Sequence, residues 1–164
     1  MAERRRQLSW WERLVERVPA SRPGAWCYVH ITTHIDRWLM PLTQGRWSTA
    51  LTWPALLLKT RGAKSGQPQT VPLLYLADGE RIVVIASKGG SPRHPAWYYN
   101  LRAHPEAQLF LNGRWATYTA HEATGDERVR LWHEAVDLYA GYDTYKGRAG
   151  GRQIPVMVLT PKVQ

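Results

Sequence analysis

Three stretches of the chain combine residue types and spacings that could do chemistry. Arg61-Gly-Ala-Lys-Ser-Gly66 sets glycines around Lys64 and Ser65. Glycines let successive backbone N–H groups turn inward as a nest for an anion, while Lys64 adds charge and Ser65 a hydroxyl. The plainer alternative is a solvated hairpin turn. Ser87-Lys-Gly-Gly90 is a second polar glycine loop, leaving another strand end and leading into a segment with Trp97 and Asn100. Two donor-rich loops with aromatic walls can hold a long anion. Tyr139, Tyr142 and Tyr145 recur every three residues across the predicted end of a helix. Phenols stack on flat rings, orient carbonyls or donate protons. The competing reading makes Tyr139 a core residue and the other two surface rings.

Familiar alternatives are missing. No G-x-G-x-x-G follows a strand, and neither a G-x-x-x-x-G-K-[ST] loop nor a G-x-S-x-G elbow occurs. His30 and His34 have the i, i+4 spacing of metal ligands, but there is no intervening Glu to act as base and no obvious third ligand, so no metal is expected. Cys27 is the single cysteine, which excludes an internal disulfide and a C-x-x-C pair. Redox chemistry here needs a borrowed cofactor.

The elements that must position these groups follow from periodicity. Ser9 and Glu12 form a capping box for an amphipathic helix that Pro19 ends, and Cys27 to Leu42 gives a second helical pattern. From Ala55 the period changes. Leu56 to Thr60, Thr70 to Leu76 and Arg81 to Ser87 are expected to form a three-stranded antiparallel meander. A helix between Pro95 and Pro105 follows, then Gln108 to Leu111 and Arg114 to Ala120, joined by the hairpin signal Asn112-Gly113. Thr124 and Glu127 form a capping box for a helix whose Val129, Trp132, Val136 and Tyr139 share a face. A loop, Gly141 to Arg152, precedes a last strand from Ile154 to Leu159. The sum is an α+β domain: a mostly antiparallel six-stranded sheet, curled into a closed or half-closed barrel, with peripheral helices. Residues 1–44 are expected to be a helical segment and residues 45–164 the barrel, within one structural unit.

At 164 residues the chain suits one domain, and its longest apolar run, Leu51 to Leu58, is too short to cross a bilayer. The basic N-terminus lacks a signal-peptide apolar core, which points to the cytoplasm. A formal net charge of +9 concentrates anionic partners: nucleic acid, acidic lipids or a phosphorylated cofactor. Nine Trp and eight Tyr against one Phe suit a ligand wall or an interface. Single-stranded nucleic acid is the rival partner, since exposed rings on a basic barrel can stack bases. Against it, the cations are scattered along the chain, and stacking leaves the two glycine loops without a role. No nucleic acid is therefore expected.

The run Leu57-Leu-Lys-Thr-Arg-Gly-Ala-Lys-Ser-Gly66, then Val71-Pro-Leu73, Ala86-Ser-Lys-Gly-Gly90, His94-Pro-Ala-Trp-Tyr-Tyr-Asn-Leu101, Tyr139-Ala-Gly-Tyr-Asp-Thr-Tyr145 and Arg152-Gln-Ile-Pro155, resembles the deazaflavin-dependent nitroreductase family of actinobacteria. The resemblance covers about residues 45 to 160. It implies a split β-barrel like that of FMN-binding oxidases, holding coenzyme F420 with its anionic phosphodiester and oligoglutamate tail. It further implies that Lys64 and Ser65 take the tail phosphate or carboxylates, that Ser87 and Lys88 line the phosphate and deazaflavin region, and that Trp97 and Asn100 help enclose the cofactor; Arg61, Gly66 and Gly89 complete the expected cofactor-binding set. Ala63 and Gln69 stand where the family often has arginine, and Arg61 is placed to compensate.

The expected reaction passes hydride from reduced F420 to an electron-poor acceptor, with Tyr142 protonating or polarising the acceptor and Tyr139, Tyr145 and Ser87 orienting it. The resemblance suggests a quinone, menaquinone above all, or a nitroaromatic. An FMN-dependent oxidoreductase on the same fold is the nearer alternative. Arg4 to Arg6, with Trp10 and Trp11, would suit peripheral contact with the inner face of an anionic membrane. The same helix could pack instead on its own barrel or on a second subunit, so a homodimer is compatible with the sequence.

Overall fold

The computed structural model describes residues 53–162. The two N-terminal helices, the His30 and His34 pair and the boundary at residue 44 lie outside them. The strands are β1 (Ala55–Arg61), β2 (Pro68–Leu74), β3 (Leu76–Asp78), β4 (Arg81–Ile85), β5 (Glu106–Leu111), β6 (Arg114–Glu122) and β7 (Val156–Pro161). The helices are α1 (Ala96–Ala103), α2 (Gly125–Leu138) and α3 (Gly141–Arg148), and a 3-10 turn covers Lys88–Gly90.

All seven strands lie in one antiparallel sheet of order β2-β1-β5-β6-β7-β4-β3. The expected six are seven because the stretch expected from Thr70 to Leu76 breaks at Tyr75, whose N–H donates to Pro54 O at 3.1 Å. The expected meander is absent for the same reason. β2 pairs with β1 and β3 with β4, which puts β2 and β3 at opposite edges of the sheet. Yet only Tyr75 separates them in the chain. Consecutive Cα atoms are about 3.8 Å apart, so both edges must come together there, and a flat sheet is impossible. Curling is written into the connectivity.

Strand alternation sorts the apolar residues into two layers. Leu56, Leu58, Ile82, Val84, Leu109 and Leu159, with Trp97 and Leu101 of α1, form one buried cluster. Val83, Ile85, Val156 and Val158 turn to the other face of β4 and β7, against Leu131, Trp132 and Ala135 of α2 and against α3. Each fully buried leucine contributes about 1.5–3 kcal/mol, and the layer beneath α2 and α3 also fixes the tyrosines.

Local chemistry explains most boundaries. Asn112 and Gly113 take φ of 52° and 79°, the left-handed pair that a two-residue hairpin requires. α2 starts after Thr124 as expected, but no side-chain cap bond forms. Glu127 instead accepts from Arg81 Nη1 at 2.8 Å and contacts His121, while Arg130 bonds Asp78, so charge tethers the β3–β4 hairpin to α2. Val129 is 52% exposed and leaves the expected apolar face, and the residues that α2 buries are Leu131, Trp132 and Ala135. The expected loop after Gly141 is largely helical, because Tyr142 and Tyr145, three apart, bury their rings together.

Candidate functional site

α1 holds the first glycine loop through Asn100, and His94, two residues before the helix, reaches the second through Arg152. Asn100, 5% exposed, accepts from Ala63 N–H at 2.9 Å through Oδ1. Its Nδ2 donates to Thr60 Oγ1 at 3.0 Å and to Gln69 Oε1 at 3.1 Å. The sequence places Asn100 in the expected cofactor wall. In the structure its amide is committed to the β1–β2 turn. A guanidinium has no acceptor, so arginine at position 69 could not receive the Asn100 bond as Gln69 does.

Within the turn, Gly66 N–H donates to Gly62 O at 2.8 Å and Gly62 N–H to Gln67 O at 2.9 Å. Arg61, Lys64, Ser65 and Gly66 are all exposed around this frame. β1 and β5 pair only as far as Lys59 and Gln108. Past that point they diverge around a groove of about 270 Å³, lined by Lys59, Thr60, Arg61, Gly66, Glu106 and Gln108 among others.

The second loop departs from β4. Ser87 is αR (φ −71°) and Lys88 αL (φ 49°), the alternation that aims successive N–H groups into one concavity. Gly89 and Gly90 continue at φ of 62° and 80°. Ser87 is 8% exposed and Lys88 is exposed. A Cβ on Gly90 would lie 2.7 Å from Arg148 Cβ and 2.9 Å from Tyr145 O, so glycine lets the loop touch α3. The loop and the tyrosines are one assembly.

Tyr139, Tyr142 and Tyr145 are all buried, which corrects the alternative of two surface rings. Tyr139 and Tyr142 meet edge-on at 5.2 Å, and the Tyr139 and Tyr145 hydroxyls are 3.1 Å apart. Trp53 stands edge-on to Tyr139 at 5.3 Å. Burial, opposed by the Tyr139 hydrogen bond and Arg148, raises the Tyr145 pKa, so its hydroxyl is protonated at neutral pH. Trp97 lies in the barrel cluster, 6% exposed, at the base of α1.

Sequence reasoning missed Thr60, Gln69, His94 and Arg152 as working parts. The signals are Arg152-Gln-Ile-Pro155 and His94-Pro95, motif residues without a role, and Gln69, which stands out only where arginine is frequent; nothing local marks Thr60. Arg152 Nη1 lies 2.8 Å from His94 Nδ1. A guanidinium only donates, so Nδ1 is the acceptor and His94 is neutral. Burial foremost, then Arg152, with Arg102 adding and Glu122 opposing, holds the His94 pKa below the ordinary histidine value. Its folded pKa is thus below its unfolded one. The stability tied to neutral His94 is present above the ordinary imidazole pKa of about 6.5 and is lost as pH falls through the folded value. Thermal melts from pH 8 to 5 should show this loss in the wild type and a smaller one in His94→Asn, which keeps an acceptor but cannot titrate. Parallel curves would refute the assignment.

Among the described residues no group of three or more His, Cys, Asp or Glu could hold a metal, and no helix is long and apolar enough to cross a membrane.

Residues 33–161 match the family described as F420H(2)-dependent quinone reductase. An F420H(2)-dependent quinone reductase of Mycobacterium tuberculosis is 41% identical over 110 residues, 65% of this chain and 73% of that protein. The solved structure of an F420-H2 dependent reductase aligns with a TM-score of 0.59 at 37% identity, covering 65% of this chain and 93% of the other. A second, described as a domain-swapped dimer, aligns with a TM-score of 0.62 at 34% identity, covering 84% and 98%. These two alignments agree with the split-barrel expectation.

Proposed function

The chain belongs to the F420H(2)-dependent quinone reductase family, and from that premise we propose that its two glycine loops hold reduced F420 while the tyrosine cluster serves the quinone that F420 reduces. The carrying observation is the spacing enforced by α1. Asn100 fixes one loop, and His94, just before the helix, contacts Arg152, which holds the other. From Ala96 to Asn100 the helix rises about 6 Å at 1.5 Å per residue, and His94 stands before it across the extended Pro95, so the two loops are held at separate points, a spacing suited to an anionic chain.

Bound F420 supplies a two-electron hydride donor. The protein's own residues bind, orient and manage protons. Ser87 and the N–H groups of Lys88 and Gly89 hold the phosphate beside the deazaflavin. Lys64, Ser65 and Gly66 take the tail, and Arg61 continues positive charge into the groove between β1 and β5. Trp97 shapes the wall from inside the barrel. A quinone that accepts hydride also needs a proton on oxygen. Tyr142 supplies it, and the Tyr139 and Tyr145 pair, with Ser87, orients the acceptor. Nitroaromatics are electron-poor enough to substitute as acceptors.

Tyr142→Phe keeps the buried ring and removes the proton. Steady-state oxidation of F420H2 by a menaquinone analogue should show kcat falling about 100-fold with F420 affinity unchanged, the range for loss of a general acid. Full turnover would remove Tyr142 from the mechanism.

Peripheral membrane contact through residues 1–20 is part of the proposal, supported by Arg4 to Arg6 and by Trp10 and Trp11, which lie outside the described residues. A homodimer is supported by the relative described as domain-swapped.

A further inference from the structure

Arg152 makes contacts that the proposed binding of F420 does not by itself explain. Its Nε donates to Ser91 O at 3.0 Å. Nη2 donates to Ser91 O and to Ser87 O, each at 2.9 Å. Nη1 reaches Ala86 O at 3.4 Å and His94 Nδ1 at 2.8 Å. A guanidinium carries five N–H donors, so every one is engaged, four on carbonyls of the segment Ala86 to Ser91 and one on His94. None meets a carboxylate, and no ion pair of Arg152 occurs among the described residues. The hydrogen-bond partners of this half-buried cation are thus all neutral dipoles.

A trans peptide points its C=O and N–H in opposite directions. Holding Ser87 C=O toward Arg152 therefore turns Lys88 N–H away from it. The next peptide is fixed by Ser91 N–H donating to Lys88 O at 3.1 Å, and Gly90 N–H donates to Ser87 O at 3.1 Å. The Lys88 and Gly89 N–H groups, on the far side, have no partner among the described residues. The non-glycine φ of 49° at Lys88 is unfavourable and persists only where its surroundings hold it.

We propose that Arg152 is the positioning residue of this anion nest: it grips the loop's carbonyls from behind, aims the Lys88 and Gly89 N–H groups at the phosphate, and adds an unneutralised positive charge beneath them. His94 completes the grip as a neutral acceptor on the remaining Nη1 donor. The inference deepens the reading that F420 binds here and rests on it, except for the loop geometry, which stands independently.

The test compares wild type with Arg152→Gln, which removes charge and most donors, and with Arg152→Lys, which keeps the charge but replaces the planar fork with a single ammonium. With F420H2 as the varied substrate at saturating quinone analogue, Arg152→Gln should raise KM at least tenfold and change kcat less than threefold. Arg152→Lys should fall between it and the wild type. A merely structural role would lower the active fraction, reducing apparent kcat and leaving KM in place, and that outcome overturns the proposal. Should wild-type protein fail to oxidise F420H2, the functional reading fails and amide hydrogen exchange decides the inference. Exchange at Gly90 and Ser91 should then be at least tenfold faster in both variants, and unchanged exchange overturns it.

Discussion

Gly90→Ala should unfold the junction between the second glycine loop and α3, with a stability loss of about 2–4 kcal/mol and loss of measurable F420 binding. Two penalties act together. Position 90 has φ of 80°, a region an L side chain enters at about 1–3 kcal/mol. The new methyl would also lie 2.7 Å from Arg148 Cβ and 2.9 Å from Tyr145 O, a backbone atom that cannot swing aside as a long side chain can. Relief comes only by separating the loop from α3, which carries Tyr142 and Tyr145. Calorimetric melting should show a drop of about 5–12 °C. Gly150→Ala is the control: it has φ of 63°, but its new methyl would meet no heavy atom within 4 Å, so it bears the conformational term alone. Equal losses in both variants would mean that the contact with α3 contributes nothing.

Asn100→Asp separates the architecture of the first loop from its electrostatics. An aspartate can still accept from Ala63 N–H, and Thr60 can rotate its hydroxyl to donate, so only the Gln69 amide must reverse. The fold should survive with a loss of about 1–3 kcal/mol. A negative charge then sits beneath a turn proposed to bind an anionic tail. At roughly 7 Å and an effective dielectric of about 20, repulsion is on the order of 2 kcal/mol, some 30-fold in affinity. The loss should shrink as salt rises, because the turn is exposed and screening acts within about 10 Å at 0.1 M. Asn100→Ala, which loses the bonds without adding charge, should show a smaller and salt-insensitive loss. If the two variants bind F420 alike at low salt, the turn does not contact the tail.

Much of this arrangement is legible in the sequence because its causes are local. Asn112-Gly113 declares its hairpin through backbone permissiveness, Pro95 and Pro105 bracket α1, and the apolar core of Arg81 to Ile85 marks β4. The errors share a different origin. Nothing near Tyr75 signals a break, since the residues around it read as one strand, and only barrel closure decides that β2 and β3 occupy opposite edges. Gly141, Gly147, Gly150 and Gly151 make the segment after α2 look like loop. It becomes helical largely because Tyr142 and Tyr145 find a buried layer on β4 and β7, a tertiary effect that overrides low propensity. The roles of Asn100 and Arg152 are hidden by distance: their partners lie 31 to 40 residues away for Asn100 and 58 to 66 for Arg152. Residue types announce an anion site. The groups that hold it in shape emerge only once the chain is folded.

The central claim is that two glycine loops, one held by Asn100 of α1 and the other through His94 and Arg152, grip F420 through its anionic chain. Equilibrium titration of the purified full chain, followed by quenching of tryptophan fluorescence, tests it most directly when F420 with its oligoglutamate tail, F420 trimmed of that tail and FMN are compared in one buffer. Tightest binding for tailed F420, weaker for the trimmed form and weakest for FMN is the predicted order. Binding of FMN as tight as that of tailed F420, or no difference between the tailed and trimmed forms, would contradict it.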